Sequence, residues 1–356
     1  MPTLPPATRA AFRRKLLAWF DRAQRDLPWR ATRDPYRIWV SEVMLQQTTV
    51  AGVVPFFKRF VEAFPNVRAL AAADERVVMN LWQGLGYYRR ARHLHAAAKR
   101  LVDDHAGELP DDPDVWAALP GVGRYILGAV LSQAFDRRLP IVEANTLRVL
   151  SRLFGSRLDP REGEGKAWVW RAAEAVLPRR RVGDFNQAMM ELGALVCTPV
   201  APKCDICPVR RECVANRLGL QAEIPPPAKK KLMVELRETA VLVRREGKVL
   251  ICQRPPTGRG AMMWEFPTTN EPVGQKLLGM LVKLGPELAT IRYGFTRFRV
   301  WLTALEAEWR KGEFASEFYM SGLWVTATEL ADYPMSMPQG KLRTEWLKAG
   351  RQGRLC

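Results

Sequence analysis

Four cysteines within seventeen residues constrain this chain more than any other feature of its sequence. They follow the pattern Cys197-x6-Cys204-x2-Cys207-x5-Cys213. Two prolines between the first pair prevent a helix from continuing, so the thiols lie in a compact loop. A loop of this kind suits a metal or an iron–sulfur cluster. Structural zinc is the alternative, but zinc sites usually offer two short Cys pairs and this loop has one, so the spacing favours iron–sulfur.

The charge of the chain points to a polyanionic partner. The 356 residues carry a formal net charge of +18. Nucleic acid is the simplest polyanion, and its binding should weaken steeply with salt. A basic surface that is merely solvated is the weaker alternative. No apolar run of membrane-spanning length occurs, so we expect no membrane partner.

The cysteines also indicate the compartment. Clustered thiols without a secretory signal indicate reduced cysteines, so we expect a cytoplasmic, nucleoid-associated protein. The chain has only three histidines, which excludes a histidine-rich metal site.

The first part of the chain has helical periodicity. The helical spacing of Phe12, Leu16 and Phe20 predicts the first helix, and short Pro, Gly and Asp turns separate the later helices. The predicted helices cover roughly 9–24, 41–51, 54–64, 75–82, 87–105, 122–134, 145–154, 166–177, 185–196 and 208–217. The pattern therefore predicts an all-α domain over residues 1–222, with the cysteine loop at 197–213.

A connector and a second domain follow. Residues 223–233 contain three prolines and then Lys229, Lys230 and Lys231, which is typical of a stiff, charged linker. The lysines either keep the linker solvated or contact a phosphate backbone. Over 234–356 the apolar runs become short and rich in β-branched residues, with a helix predicted at Gln275–Lys283. A chain of about 350 residues accommodates two domains, and the second is predicted to be α+β.

The segment Leu119-Pro120-Gly121-Val122-Gly123 lies between two predicted helices. Its glycines allow a tight hairpin whose backbone N–H groups open the next helix, an arrangement that binds phosphate. An ordinary helix turn is the alternative if the segment is considered alone. Together with the four cysteines and the charge, it resembles the helix-hairpin-helix DNA glycosylases that carry an iron–sulfur cluster. This resemblance implies a [4Fe-4S] cluster held by Cys197, Cys204, Cys207 and Cys213, and DNA contacts at Gly121, Val122 and Gly123.

The residue after the hairpin bears on the type of reaction. Members of this family that cut DNA strands place a lysine there as the Schiff-base nucleophile, whereas this chain has Tyr125. A phenol cannot form an imine. We therefore expect a hydrolytic, monofunctional glycosylase.

An early segment around Glu42 contains a candidate general acid. Ser41 is predicted to be a helix N-cap, which would place Glu42 in the first turn. The alternative is that a carboxylate in this position only relieves the helix dipole. Its apolar flank from Trp39 to Leu45 instead predicts burial, which would raise its pKa toward that of a general acid.

This segment is similar to that of the MutY-type adenine DNA glycosylases, which remove adenine mispaired with 8-oxoguanine. The resemblance implies that Glu42 protonates the adenine ring and that Gln47 and Thr48 lie at the opposite base. It assigns Tyr87 as a wedge into the base stack, with core packing as the alternative. The residues implied to line the adenine pocket are Trp29, Arg30, Leu45 and Glu191.

The segment Val142-Glu143-Ala144-Asn145 departs from the family pattern Asp-Gly-Asn. The family aspartate stabilises the positive sugar in the transition state, and Glu143 keeps its charge on a longer side chain. A misplacement of about 1 Å can cost on the order of 100-fold in rate. Either the backbone has shifted to reseat Glu143, which we favour, or the enzyme is slow. Tyr125 and Asn145 complete the expected catalytic group.

The C-terminal domain resembles a Nudix fold. The acidic Nudix motif is missing, because Val273–Gly285 contains no Asp or Glu, so no magnesium-dependent hydrolysis is expected. The family reads 8-oxoguanine with a Phe-Ser-His loop, and the matching residues are Phe295, Thr296 and Arg297. Phe295 is alternatively a core strand residue.

The resemblance implies a monomeric enzyme that removes adenine opposite 8-oxoguanine or guanine in duplex DNA and leaves an abasic site. Two alternatives stay open. One is an endonuclease-III-like pyrimidine glycosylase/lyase, and the other is a catalytically weakened relative that binds lesions.

Overall fold

The computed structural model describes residues 2–228 and 232–352. The predicted connector lysines Lys229–Lys231 and the terminal Cys356 lie outside these residues. Two compact units are present: residues 2–72 with 96–228, and residues 73–95 with 232–352. Among the described residues, none of the helices combines the length and the apolar character needed to cross a bilayer.

The chain up to residue 218 is helical, as predicted. Its helices are α1 (Pro6–Ala23), α2 (Pro35–Leu45), α3 (Val50–Ala63), α4 (Val67–Ala72), α5 (Glu75–Trp82), α6 (Arg89–His105), α7 (Pro113–Ala118), α8 (Arg124–Phe135), α9 (Ala144–Phe154), α10 (Gly163–Val176), α11 (Val182–Leu195) and α12 (Val214–Leu218).

Two helix predictions are wrong. Residues 41–51 do not form one helix, because α2 begins at Pro35 with Asp34 as its N-cap, whose side chain accepts from the Tyr36 N–H. Ser41 is therefore inside α2, where its hydroxyl donates to the Ile38 carbonyl at 2.8 Å. Glu42 consequently lies in the last turn of α2, not in the first. Residues 208–217 are also not one helix, since turns precede the short α12.

The core of the first unit forms around one stripe of α1. Phe12, Leu16 and Phe20 recur every four residues and are buried. They pack in one cluster with buried residues of α9, α10 and α11. Each such side chain contributes about 1.5–3 kcal/mol by leaving water. This packing holds α9 and α11, which carry part of the site described below.

The second unit contains a mixed sheet. Its strands are β1 (Val234–Arg245), β2 (Lys248–Gln253), β3 (Trp264–Glu265), β4 (Thr268–Thr269), β5 (Lys276–Leu277), β6 (Met280–Phe295), β7 (Phe298–Lys311) and β8 (Ser321–Val325). The order is β3-β2-β1-β7-β6-β5, with β4 beside β1 and β8 beside β2. The β1–β7 pair is parallel and the other pairs are antiparallel.

Around β1, both faces of this sheet carry buried side chains. Ala240 and Leu242 of β1 face one apolar cluster, which includes Leu342 and Trp346 of the helix α13 (Met337–Gln352). Val241 and Val243 face the other cluster. This alternation follows from the two-residue period of a strand. It confirms the predicted α+β domain.

One prediction for the second unit is wrong. Gln275–Lys283 was expected to be a helix, but it forms β5 and the start of β6. The register explains the difference, because Lys276 pairs with Leu281 across a tight turn, and β6 continues along β7.

Candidate active site

The first unit contains a cavity of about 460 Å³. Helices α2, α8, α9 and α11 and the loop before α2 supply much of its wall. Nine residues singled out from the sequence line it: Trp29, Arg30, Glu42, Leu45, Thr48, Tyr125, Glu143, Asn145 and Glu191. The fold therefore brings both candidate carboxylates to one space.

Glu42 is buried, as predicted, with 2% of its surface exposed. Two side chains of α8 hold its carboxylate. The Tyr125 hydroxyl donates to Oε2, and the Gln133 amide donates to Oε1 at 2.8 Å. Burial raises the pKa of Glu42, and these two hydrogen bonds and the charge of Arg30 offset part of the rise. A carboxyl group with a raised pKa can donate a proton near neutral pH.

Glu143 caps the N-terminus of α9. Its Oε2 accepts from the Asn145 N–H and its Oε1 from the Thr146 N–H, both at 2.8 Å. The Thr146 hydroxyl in turn accepts from the Glu143 N–H, which completes a reciprocal box. Burial raises the pKa of Glu143, while the hydrogen bonds from Asn145 and Thr146 favour its charged form. The helix N-terminus thus supplies partial positive charge to this carboxylate.

Glu191 is clamped by two arginines. Arg25 donates to both of its oxygens, at 2.8 and 2.6 Å, and Arg30 donates to Oε2 at 3.0 Å. Only 1% of Glu191 is exposed. Burial alone would raise the pKa of Glu191, but the hydrogen bonds from Arg25 and Arg30 prevail and lower it to about 2. Sequence reasoning missed Arg25, because no local pattern marks a partner 166 residues away.

This clamp should make stability depend on pH. The folded pKa of Glu191, about 2, lies below the unfolded value of roughly 4.3. Its contribution is therefore present above about pH 5 and is lost as the pH falls toward 2. Between pH 5 and pH 3 we expect the parent to lose roughly 1–2 kcal/mol more than Glu191→Gln, because the variant lacks this ionisation. Urea unfolding at both pH values measures the difference, and equal losses would contradict the expectation.

Two arginines of α9 connect its N-terminal turn to the cysteine loop. The Arg148 side chain donates to Asn145 Oδ1 at 2.8 Å and to the Cys197 carbonyl at 2.7 Å. The Arg152 side chain donates to the Thr198 carbonyl at 2.7 Å and approaches Cys197 Sγ at 3.3 Å. Sequence reasoning missed both residues. Their four-residue spacing places them on one helix face, which is the only local signal.

The four-cysteine loop follows α11 directly. Its thiols are half-buried and form no disulfide. Burial, together with the nearby Cys197 and Cys213, raises the pKa of Cys207 to about 12. The positive charge of bound iron would compensate this cost, since coordination deprotonates a thiol. Within residues 2–228 and 232–352, no group of three or more His, Cys, Asp or Glu side chains is arranged to hold a metal ion. The four thiols are the type of donor that iron–sulfur clusters use.

Gly193 of α11 lies against the first turn of α9. A Cβ atom at this position would be 2.5 Å from Asn145 Cβ. We expect Gly193→Ala to lower the free energy of unfolding by about 1–3 kcal/mol and to displace Asn145. Thermal and urea unfolding measure the loss. The matched control is Gly274→Ala in the second unit, where nothing lies within 4 Å of the added methyl group. Equal stabilities of the two variants would contradict the expectation.

The predicted hairpin is present between α7 and α8. Gly121 has φ +76°, which only glycine adopts without strain. Helix α8 then begins at Arg124 without a side-chain cap, so its first N–H groups are available to a phosphate.

Three further DNA-contact candidates have a left-handed backbone. They are Gln47 with φ +59°, Tyr87 with φ +49° and Thr296 with φ +49°. This conformation is uncommon in a residue other than glycine, but seven other non-glycine residues of the described chain share it, so it does not by itself mark a site. Tyr87 is 53% exposed, whereas the hydroxyl of the half-buried Tyr88 donates to the Met335 carbonyl. Packing in the core therefore does not explain why a tyrosine occupies position 87.

Thr296 and Arg297 form the two-residue turn between β6 and β7. Phe295 and Phe298 pair across its base, with ring centroids 5.1 Å apart. Phe295 is half-buried and also stacks on Tyr293. The guanidinium of Arg297 lies over the Phe298 ring at 5.4 Å. The turn thus presents a hydroxyl and a cation on an aromatic base.

The fold, the hairpin and the site place this chain in the class of base excision DNA repair proteins. Residues 40–173 match the family model described as "HhH-GPD superfamily base excision DNA repair protein", and residues 239–345 match a NUDIX domain model. A solved thermostable thymine-DNA glycosylase is 30% identical and superposes with a TM-score of 0.55, over 60% of this chain and 98% of that one.

The curated relatives of the chain show to which family within this class it belongs. An adenine DNA glycosylase of Buchnera aphidicola (Schizaphis graminum strain) is 34% identical over 67% of this chain and 70% of its own length. The rat adenine DNA glycosylase is 37% identical over 74% of this chain. The chain belongs to the adenine DNA glycosylase family. It spans 62% of the length of the rat and mouse relatives.

Proposed function

We propose that this chain hydrolyses the N-glycosidic bond of adenine opposite 8-oxoguanine or guanine in duplex DNA. The observation that carries the proposal is the cavity shared by Glu42 and Glu143, two carboxyl groups in different environments. The family assignment supports adenine as the base removed. The net charge of +18 supports duplex DNA as the partner.

The two carboxyl groups divide the reaction between them. A stacked adenine cannot reach the cavity, so the base must first leave the helix, at a cost of a few kcal/mol. Glu42, whose pKa is raised by burial, gives its proton to the adenine ring as the N-glycosidic bond breaks, and the base departs neutral. Glu143, held at the N-terminus of α9, faces the cationic sugar. Water adds to the sugar carbon, and the proton that it releases returns to the Glu42 carboxylate, which leaves an abasic site and restores the acid.

The lining of the cavity supports hydrolysis without a Schiff-base intermediate. Tyr125 occupies the position of the lyase nucleophile and donates to Glu42. None of the described residues that line the cavity is a lysine, so no lining amine is available for a Schiff base. Trp29, Arg30, Leu45 and Glu191 are proposed to enclose the flipped adenine.

Several exposed features are proposed to hold the duplex. The hairpin at Gly121–Gly123 would bind a phosphate, and Tyr87 would wedge into the base stack. Gln47 and Thr48 would contact the base opposite the adenine. In the second unit, the turn at Phe295–Arg297 would read 8-oxoguanine, with Thr296 supplying a hydroxyl and Arg297 a permanent cation.

The reaction is tested with duplexes that carry adenine opposite 8-oxoguanine, guanine, cytosine or thymine. We expect release of free adenine to be fastest opposite 8-oxoguanine and slower opposite guanine. Borohydride should trap no protein on the DNA. Covalent trapping would indicate the pyrimidine glycosylase/lyase alternative instead. Binding without release from any duplex would favour a weakened lesion-binding relative.

The cysteine loop is proposed to hold a [4Fe-4S] cluster through Cys197, Cys204, Cys207 and Cys213. The cluster would order the loop and present Lys203, Arg210 and Arg211 toward DNA. Protein purified without oxygen is expected to be brown, with roughly four irons per chain. Cys204→Ser should lower the iron content, while Cys252→Ser, in the sheet, should leave it unchanged. Colourless protein that contains zinc would contradict the proposal.

A further inference from the structure

Gln133 is a buried amide that contacts Glu42 and has no part in the reaction described above. It lies on α8, two turns after Tyr125, and is 8% exposed. Its Nε2 donates to Glu42 Oε1 at 2.8 Å. An amide N–H cannot accept a hydrogen bond, whereas the Tyr125 hydroxyl at Oε2 can either donate or accept. The two oxygens of Glu42 therefore have chemically different partners.

These different partners determine which oxygen of Glu42 holds the proton. A proton on Oε1 competes with the Gln133 N–H, but a proton on Oε2 can be donated to the Tyr125 hydroxyl. We propose that Gln133 is a positioning residue for Glu42, which fixes Oε1 and places the transferable proton on Oε2. The inference rests on the proposed role of Glu42 as the acid that protonates adenine.

The charged groups around Glu42 determine the direction in which its pKa should change when Gln133 is replaced. The positive charge of Arg30 lowers the pKa of Glu42. The negative charge of Glu42 in turn raises the pKa values of Glu143 and Tyr125. Arg25 and Glu191 line the same cavity as an ion pair. Burial raises the pKa of Glu42, and the Gln133 hydrogen bond is one of the contacts that lower it. Removing this donor alone should therefore raise the pKa of Glu42.

Gln133→Met tests the proposal, because methionine keeps the length and burial of the side chain without a donor. Single-turnover adenine release should fall at high pH, where Glu42 loses its proton. We expect the midpoint of this fall to move upward by on the order of one pH unit in the variant. The rate at low pH should drop severalfold, because the carboxyl group is less well oriented. An unchanged midpoint in a variant as stable as the parent would overturn the proposal.

A second measurement does not depend on activity. Carbon-13 NMR of protein labelled at the glutamate carboxyl carbon follows the ionisation of Glu42 without DNA, with the signal assigned through Glu42→Gln. The midpoint should again be higher in Gln133→Met than in the parent, and Gln133→Leu serves if the methionine variant is unstable. Equal NMR midpoints would overturn the role of Gln133 even if the parent releases adenine. A shifted midpoint with an inactive parent would sustain the Gln133–Glu42 coupling and reject the proposed reaction.

Discussion

Replacing Glu42 with glutamine is expected to slow adenine release by about 100- to 10,000-fold, which is the usual contribution of a positioned general acid. Glutamine has nearly the shape of glutamate and can still accept a hydrogen bond from Tyr125, so the cavity should persist. It cannot give a proton to the departing base. Single-turnover release from a duplex with adenine opposite 8-oxoguanine measures the effect.

The control for this substitution is Glu164→Gln, on the exposed side of α10. It makes the same substitution away from the cavity and should release adenine at the parent rate. Duplex affinity should be nearly the same in both variants, since Glu42 is buried and is proposed to act on the reaction, not on binding. A Glu42→Gln variant as fast as the parent would show that another group protonates the base.

Replacing Glu143 with glutamine is expected to slow release by roughly 100- to 1,000-fold. A fixed charge or dipole aimed at the charge of the transition state contributes about this much. Glutamine keeps the length of the side chain but removes the negative charge that would face the sugar cation. Some stability should also be lost, because the amide replaces one acceptor of the α9 cap with a donor.

Glu143→Asp is the matched variant, since it keeps the charge and shortens the side chain. Aspartate is a good N-cap, so α9 should remain intact. We expect this variant to be faster than Glu143→Gln, because it keeps the charge. It should be slower than the parent by up to about 100-fold, because its carboxylate is displaced by about 1 Å. If Glu143→Gln matched the parent while Glu143→Asp was slow, packing and not charge would be the contribution of Glu143.

Much of the fold follows from local patterns. The four-residue spacing of Phe12, Leu16 and Phe20 was sufficient to predict α1, and the two glycines around Val122 predicted the hairpin. Boundaries were less certain. Ser41 looked like an N-cap because its type suits that position, but Asp34, followed by Pro35, forms a stronger cap seven residues earlier. Gln275–Lys283 has no strong local preference, and pairing with β7 decides its conformation.

The site could likewise be predicted only in part. The apolar flank of Glu42 was enough to predict its burial, because neighbours in sequence also surround it in space. Its partners could not be predicted, since Tyr125 and Gln133 are 83 and 91 residues away. The Arg25 clamp on Glu191 and the Arg148 and Arg152 contacts with the cysteine loop depend equally on how distant helices pack.

By itself, the sequence determined the class of this protein: a basic, largely helical chain with a four-thiol loop, a glycine-containing hairpin and the two acids Glu42 and Glu143. These features are local, because spacing and residue type act over a few turns of chain. Only the tertiary structure decided that Glu42 and Glu143 share a cavity and which groups hold each carboxylate. Hydrogen bonds and burial depend on atoms brought together by packing, and no local pattern records the distances between them.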